Sequence, residues 1–119
     1  MVARTPYADT PSVTQNQTQT TGTFATGPIV EAGFANWATG YINVSAASGT
    51  THTLDAKLQY SNDMDTWSDI PGGAITQITG TVGSAICTGP VPGEYVQLLV
   101  TIGGTGTPSV TFSAALLVF

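Results

Sequence analysis

A strictly alternating stretch in the middle of the chain constrains the fold more than any other feature of the sequence. From Leu54 to Ile70 the sequence reads LDAKLQYSNDMDTWSDI, and apolar and polar residues alternate in it up to Tyr60. A period of two residues is that of a β-strand with one buried and one wet face. The Asn and Asp residues that follow favour chain reversal, because their side chains bond their own backbone and tolerate unusual dihedral angles. We therefore predict a β-hairpin that returns to the core through Trp67 and Ile70.

The composition restricts both the size and the class of the fold. The chain has 119 residues, enough for one domain with a core of two packed layers. Only 8% of the residues are charged, against roughly a quarter in ordinary soluble domains, so the polar surface must consist of Thr, Ser, Gln, Asn and Gly. The many threonines suit strand surfaces, and no helical period is present. An all-β protein is expected.

Further alternating segments are separated by clusters of Gly, Pro, Ser and Thr. Besides the central hairpin, strands are predicted at 23–34, 40–47, 74–79, 85–88, 95–102 and 109–119. In the segment 40–47 we expect Ile42, Val44 and Ala46 to share the inner face. The second half of the last strand is apolar on both faces, which indicates a central strand or a subunit interface. About eight short strands at turn spacings of about ten residues describe an antiparallel β-sandwich or jelly roll.

The first 22 residues have the composition of an extended arm. Pro6 and Pro11 interrupt regular structure, and residues 12–21 form a polar run of Thr, Gln and Asn. Two interpretations stand: a flexible terminus, or an arm that adds a strand to its own sheet or to a neighbour. We accordingly divide the chain into an N-terminal arm, 1–22, and one β-sandwich domain, 23–119.

Charge and cysteine content exclude several classes of function. The net charge is -5 and the only cations are Arg4 and Lys57, so the chain is not expected to neutralise the phosphates of a nucleic acid. Cys87 is the only cysteine, which excludes an internal disulfide and predicts a small buried apolar group. The N-terminal residues lack the apolar core of a signal peptide, and no apolar run approaches the roughly 20 residues that span a bilayer. We expect neither export nor a membrane partner.

No pattern in the sequence indicates an enzyme, and we predict no catalytic, cofactor-binding or metal-binding residue. The carboxylates of Asp63, Asp65 and Asp69 cluster as in a calcium loop, but the glycine and the final glutamate of an EF-hand are missing, which favours a solvated turn. His52 is the only histidine, is expected in a solvated loop, and has no G-x-S-x-G nucleophile to serve. The aromatic residues allow either packing or a sugar-stacking platform. That platform would consist of Trp37, Tyr41 and Trp67, together with Tyr95.

Three segments of the chain resemble small proteins encoded beside the capsid gene of tailed bacteriophages and prophages. These segments are RTPYAD near the start, VSAASGTTHTLDAKLQYSNDMDTWSDI in the middle and VTIGGTGTPSVTFSAALLVF at the end. The sequence departs from the usual pattern at Met64, where glycine is common, and in an arm unusually rich in Thr and Gln. The fragment LQYSNDMDTW is also similar to discoidin-type carbohydrate-binding domains, which are longer.

The resemblance implies a structural virion protein of the capsid decoration, or cement, type. Such a protein binds the outer surface of a phage head, staples neighbouring capsomers and has no catalytic residues. The implied partners are the major capsid protein and further copies of the chain, with a trimer preferred over a dimer. The implied location is the outer surface of the virion head, after synthesis in the host cytoplasm.

The two candidate functions predict different contact residues. For decoration, subunit contacts are expected from Leu99, Ala115, Leu117 and Phe119. Capsid contacts are expected from the arm residues Arg4, Tyr7, Val13, Gln15 and Gln17. The alternative function is a glycan- or receptor-binding β-sandwich of a phage fibre or spike, with the platform Trp37, Tyr41 and Trp67.

Overall fold

The computed structural model describes residues 12–32 and 36–119, which fold into eight antiparallel strands in two packed sheets. The strands are β1 (Ser12–Thr20), β2 (Gly22–Glu31), β3 (Trp37–Ser48), β4 (Thr51–Ser61), β5 (Ser68–Ala74), β6 (Gly83–Pro90), β7 (Tyr95–Thr105) and β8 (Ser109–Val118). Within these two ranges there is no helix, and hence none long and apolar enough to cross a membrane. The predicted all-β sandwich is confirmed.

The strand order is that of one long hairpin rolled up into a sandwich. The first four strands form one half of this hairpin and the last four form the other half. Between the two halves β1 pairs with β8, β2 with β7, β3 with β6, and β4 with β5. Two further pairings, β3 with β8 and β4 with β7, complete sheet I (β1-β8-β3-β6) and sheet II (β2-β7-β4-β5). This nested order is a jelly roll. Its tip is the β4–β5 turn, which the Asn and Asp residues of the central stretch predicted.

The strands β3 to β8 each bury side chains from one of their two faces between the sheets. On β8 every second residue from Val110 to Val118 is buried, and the residues between them are half-buried. Phe112 is among the largest fully buried side chains, and burial of a side chain of this kind contributes about 1.5 to 3 kcal/mol. On the other strands, the buried residues include Ile42, Val44, Leu54, Ala56, Leu58, Val96, Leu98, Val100 and Ile102.

A β-bulge changes the inner face of β3. The register with β8 shifts between Val44 and Ala46, and a bulge of this kind reverses the alternation of the residues that follow it. Ala46 is therefore exposed, and Ala47 packs against the core instead. The predicted inward position of Ala46 was wrong.

The strand predicted at 74–79 was wrong. The second strand of the central hairpin, β5, runs from Ser68 to Ala74 and includes the Pro-Gly-Gly segment that the sequence suggested as a break. Beyond it, Ile78 makes only an isolated bridge to Leu54. Proline is tolerated in β5 because this strand lies at the edge of sheet II, where a missing N–H interrupts no ladder on the open side.

The predicted hairpin is confirmed, but the role of Trp67 in the core is not. Ile70 is buried, whereas Trp67 is half-buried and lies outside the core cluster. The period of two explains the difference, because residues three positions apart point to opposite faces of a sheet. Asp69 lies two positions after Trp67 and so points to the same side as Trp67. Its carboxylate accepts hydrogen bonds from side chains on the outer face of sheet II.

Part of the predicted arm belongs to the sandwich. Ser12–Thr20 forms β1 and pairs antiparallel with β8 at the edge of sheet I. Thr18 and Thr111 reinforce this pairing through a hydrogen bond of 2.7 Å between their hydroxyl groups. Of the two interpretations of the arm, the addition of a strand to its own sheet is therefore the one found for these residues.

Gly104 provides a test of the close pairing between β4 and β7. Its φ is +129°, and a Cβ atom there would overlap the backbone carbonyl of Thr51. We expect Gly104→Ala to lower the free energy of unfolding by about 3 kcal/mol, since both the backbone and the pairing must distort. Urea denaturation measures this loss.

Gly72 supplies the matched control for that substitution. Its φ is +73°, but nothing lies within 4 Å of an added Cβ. Gly72→Ala should therefore cost only the left-handed strain of about 1 kcal/mol. Equal losses for the two substitutions would contradict the overlap at Gly104.

Candidate functional site

The outer face of sheet I concentrates the exposed apolar side chains of the described sandwich. Side chains alternate along a strand, so the positions between the buried residues of β3, β6 and β8 face outward. We call these outward positions the neutral face: Trp37, Thr39, Tyr41 and Asn43 of β3, Ser84, Ile86, Thr88 and Pro90 of β6, Ser113, Ala115 and Leu117 of β8, and Phe119 after it. Four of the six large apolar side chains that the described residues expose lie on this face.

The apolar residues of the neutral face are neighbours across the strands. Tyr41 lies between Ile86 on one side and Ala115 on the other. Trp37 and Phe119 are joined by two backbone hydrogen bonds of 2.9 Å, in which the N–H of each donates to the carbonyl of the other. Four of these side chains are 40 to 63% exposed. A contiguous exposed apolar patch of this kind indicates a surface that contacts another molecule.

The neutral face owes its name to a complete separation of charge between the two sheets. None of the four strands of sheet I contains an Asp, Glu, Lys or Arg residue. The charged residues within 12–32 and 36–119 belong to sheet II, to its β4–β5 turn or to the β6–β7 connection. They are Glu31, Asp55, Lys57, Asp63, Asp65, Asp69 and Glu94. Sheet II and its loops therefore carry the acidic character of the described structure.

The outer face of sheet II carries a row of mutually bonded polar side chains. The Gln97 amide donates to Gln59 Oε1 (2.9 Å), and the Gln59 amide donates to Asp69 Oδ1 (2.9 Å). Lys57 Nζ donates to Asp69 Oδ2 at 3.1 Å. These contacts, with the Gln59 hydrogen bond first, lower the pKa of the Asp69 carboxyl group. The polar groups of this row are therefore bonded to each other across β7, β4 and β5.

A shallow depression of about 250 Å³ lies beside this row. Its walls include Leu99, Ala74 and Ile75 as aliphatic groups and Asp55 and Lys57 as charged groups. None of the described residues that line it is aromatic, so it lacks the flat ring surface on which a sugar would stack.

The structure brings together three of the four predicted subunit-contact residues. Ala115, Leu117 and Phe119 lie on the neutral face, whereas Leu99 lies half-buried on the outer face of sheet II. The separation arises because β7 and β8 belong to different sheets. Ile86 was missed by sequence reasoning, although the burial expected for its neighbour Cys87 already placed it outward.

The predicted capsid-contact residues lie mostly outside the described part of the chain. Arg4 and Tyr7 are outside the described residues, as are the side chains of Val13, Gln15 and Gln17, whose backbone belongs to β1. The backbone of Val13 pairs with Ala115 of the neutral face. That pairing places β1 directly beside the apolar patch.

The four aromatic residues considered for a glycan platform do not form one surface. Trp37 and Tyr41 share the neutral face and are 44% and 40% exposed. Trp67 lies at the end of the β4–β5 turn, next to the edge strand of sheet II. Tyr95 begins β7 and pairs with Ser61. Only the first two residues remain available for a common platform.

The carboxylates of the β4–β5 turn stabilise the turn itself. Asp63 Oδ1 accepts the backbone N–H groups of Asp65 and Thr66 at 2.8 Å and the hydroxyl of the buried Ser61 at 2.9 Å. These bonds lower the pKa of the Asp63 carboxyl group. Met64 takes a left-handed φ of 63°, which explains why glycine suits this position. Within the described residues, no three His, Cys, Asp or Glu side chains form a group suited to a metal ion.

His52 differs from its predicted environment. It lies within β4 rather than in a solvated loop, and both ring nitrogens are buried without a hydrogen-bond partner among the described residues. The alternation that buries Leu54 and Ala56 also turns His52 inward, at the end of the same row. A buried polar group without a partner destabilises the fold.

Cys87 is buried, as the sequence predicted. Its Sγ donates to the carbonyl of Gly40 at 3.6 Å, and burial raises the pKa of the thiol to about 11. The thiolate that reacts with electrophiles and metals is therefore scarce at neutral pH. Cys87 is a packing residue of sheet I.

No protein-family model matches this sequence, and no curated protein matches it significantly. Among solved structures it is similar to the CBM22-1–GH10 modules of the Clostridium thermocellum N-terminal endo-1,4-β-D-xylanase 10B complexed with xylohexaose. The identity is 13% over 76% of this chain, which spans only 18% of that chain, with a TM-score of 0.47.

Two other similar structures match this chain over almost their whole length. The SPBc2 prophage-derived protein YomS shares 14% identity over 98% of this chain and 99% of its own, with a TM-score of 0.41. A chain of the Bacillus endospore appendages, described as disulfide-linked pili, shares 17% identity over 100% and 96%, with a TM-score of 0.36. A prophage protein is thus one of the structural neighbours, but similarities this low carry no argument about function.

The two buried, unpaired ring nitrogens of His52 yield a prediction about stability. His52→Leu replaces it with an apolar side chain of similar size and removes the unpaired nitrogens. We expect the free energy of unfolding to rise by about 1 to 2 kcal/mol in urea denaturation. His52→Ala is the control, since it removes the same nitrogens but leaves a cavity that offsets the gain. A marked loss of stability in His52→Leu would mean that the imidazole has a partner.

Proposed function

We propose that this chain is a structural virion protein of the capsid decoration type, without catalytic activity. It binds the outer surface of a tailed-phage head and staples neighbouring capsomers. Its partners are the major capsid protein and further copies of itself, and it is made in the host cytoplasm before it joins the head.

The observation that carries the proposal is the neutral face. A protein that acts by assembly needs a surface whose burial is favourable, and the centres of protein interfaces are poor in charge and rich in aromatic residues. The neutral face has Trp37, Tyr41 and Phe119 exposed and contains no charged side chain. Three sequence segments resemble phage head proteins, and this resemblance indicates that the assembly is a phage head.

The position of β1 supports a role for the arm in binding the capsid. Ser12, to which residues 1–11 are joined, pairs with Leu116 near the end of β8. Ser12 therefore lies beside the neutral face, at the end that carries Phe119. An extended segment can bind a neighbouring protein by adding a strand to one of its sheets.

Stapling follows from mass action. A protein that binds the assembled shell but not the separated subunits stabilises the shell, by an amount that grows with its concentration relative to its dissociation constant. The chain need not change shape for this purpose. A sandwich held by strand pairing and a buried core provides a suitable rigid clamp.

The second candidate function is glycan or receptor binding in a phage fibre or spike. One observation favours it: Trp37 and Tyr41 lie four residues apart in β3 on the same sheet face, and each exposes about two fifths of its surface. Aromatic rings exposed in this way are suited to stacking on a ligand. Trp67 does not contribute to this pair.

Copy number in the particle tests the proposed function. After gradient sedimentation of a phage lysate, we expect mass spectrometry of DNA-filled heads to find this chain in a ratio to the major capsid protein of the order of one, because capsomer junctions repeat over the whole shell. Heads formed with a variant that lacks residues 1–11 should carry far fewer copies. Thr101→Lys on the outer face of sheet II is the control and should leave the ratio unchanged.

A handful of copies per particle would contradict decoration and favour the fibre or spike. Absence from the particle would exclude both candidate functions.

A further inference from the structure

We infer that the neutral face is the contact between two copies of this chain, which meet face to face around a two-fold axis. The inference takes from the proposed function only the idea that the chain works as an oligomer. It concerns the purified protein and holds whether or not the oligomer binds a capsid.

The distribution of charge identifies a second copy as the occupant. The chain has a net charge of -5, so two copies repel each other when their acidic sides approach. The described charges lie on sheet II and its loops, whereas the strands of sheet I have none. An encounter through the neutral face keeps the two acidic sides apart and buries no charge, which avoids the cost of desolvating ions.

The side chains of the neutral face suit a contact with itself. Tyr41 stands on β3, one of the two central strands of sheet I, with apolar neighbours Ile86 and Ala115 on both sides. Around a two-fold axis each copy presents the same patch, so this central region meets its own equivalent. The hydroxyl groups of Thr39 and Thr88 lie 3.4 Å apart and bond each other. These polar groups are uncharged, so a partner does not have to neutralise them.

The size of the face suits a weak, reversible contact. Its three strands, spaced by about 4.8 Å and each with about eight residues at 3.3 Å, give a surface of about 380 Å². Two such faces together bury about 760 Å², which lies in the range of weak, reversible interfaces. One sheet face serves a pair of copies fully, whereas a ring of three copies would require two different surfaces on each copy. The geometry therefore favours a dimer over a trimer.

The experiment measures the oligomeric state of the purified full-length chain by sedimentation velocity over a range of concentrations. We expect the wild type to form dimers at about 100 µM. Tyr41→Lys and Ile86→Lys each place a charge in the contact and should raise the dissociation constant by at least about 30-fold. Both side chains are 40% or more exposed, so these substitutions should leave the fold intact, as circular dichroism can verify.

Two controls make the assignment specific. Met64→Lys changes a side chain that is also apolar and 49% exposed, but at the β4–β5 turn, and should leave the dimer unchanged. A mixture of Tyr41→Lys with Tyr41→Glu should recover the dimer, because residues near a two-fold axis meet their own equivalents.

A monomeric wild type, a trimer, or a dimer that withstands both Tyr41→Lys and Ile86→Lys would overturn the inference. None of these outcomes alters the copy number of the chain in heads. That copy number tests the proposed function separately.

Discussion

The rest of the structure depends on one constraint: the strands β3 to β8 each bury one row of side chains between the two sheets. With a period of two, fixing Leu58 or Phe112 inward also fixes which residues of the same strand face outward. Strand pairing then aligns these outward residues into rows across each sheet. The surface chemistry of the protein is therefore a consequence of its core. A shift of one residue in β3 or β8 would place apolar core residues in water and the neutral face inside.

The two outer faces that result differ in kind. Sheet II presents polar groups that satisfy each other, as in the row from Gln97 to Asp69. Sheet I presents aromatic and aliphatic groups without a single charge in its strands. Such an apolar sheet face destabilises an isolated monomer in water only slightly, but it promotes association. The acidic charge of sheet II keeps the opposite side of the protein solvated.

Much of this arrangement could be predicted from the sequence, and the failures have physical causes. The central hairpin and the inward rows of β4, β7 and β8 follow from alternation and turn chemistry, which are local properties. The separation of Leu99 from Leu117 does not, because the sheet to which a strand belongs depends on long-range pairing. The inward position of His52 and the outward position of Trp67 were both implied by the period of two, but residue type suggested the opposite. The bulge at Ala46 depends on the partner strand and has no local signal.

The most direct test of the central claim uses the two tryptophans as reporters of opposite sides of the protein. Trp67→Phe leaves Trp37 on the neutral face as the only indole, and Trp37→Phe leaves Trp67 beside sheet II. Fluorescence quenching by acrylamide measures the accessibility of each indole as the protein concentration increases. We expect Trp37 to become protected on association, while the accessibility of Trp67 stays constant. Constant accessibility of Trp37, or protection of Trp67 in its place, would contradict the neutral face as the surface of assembly.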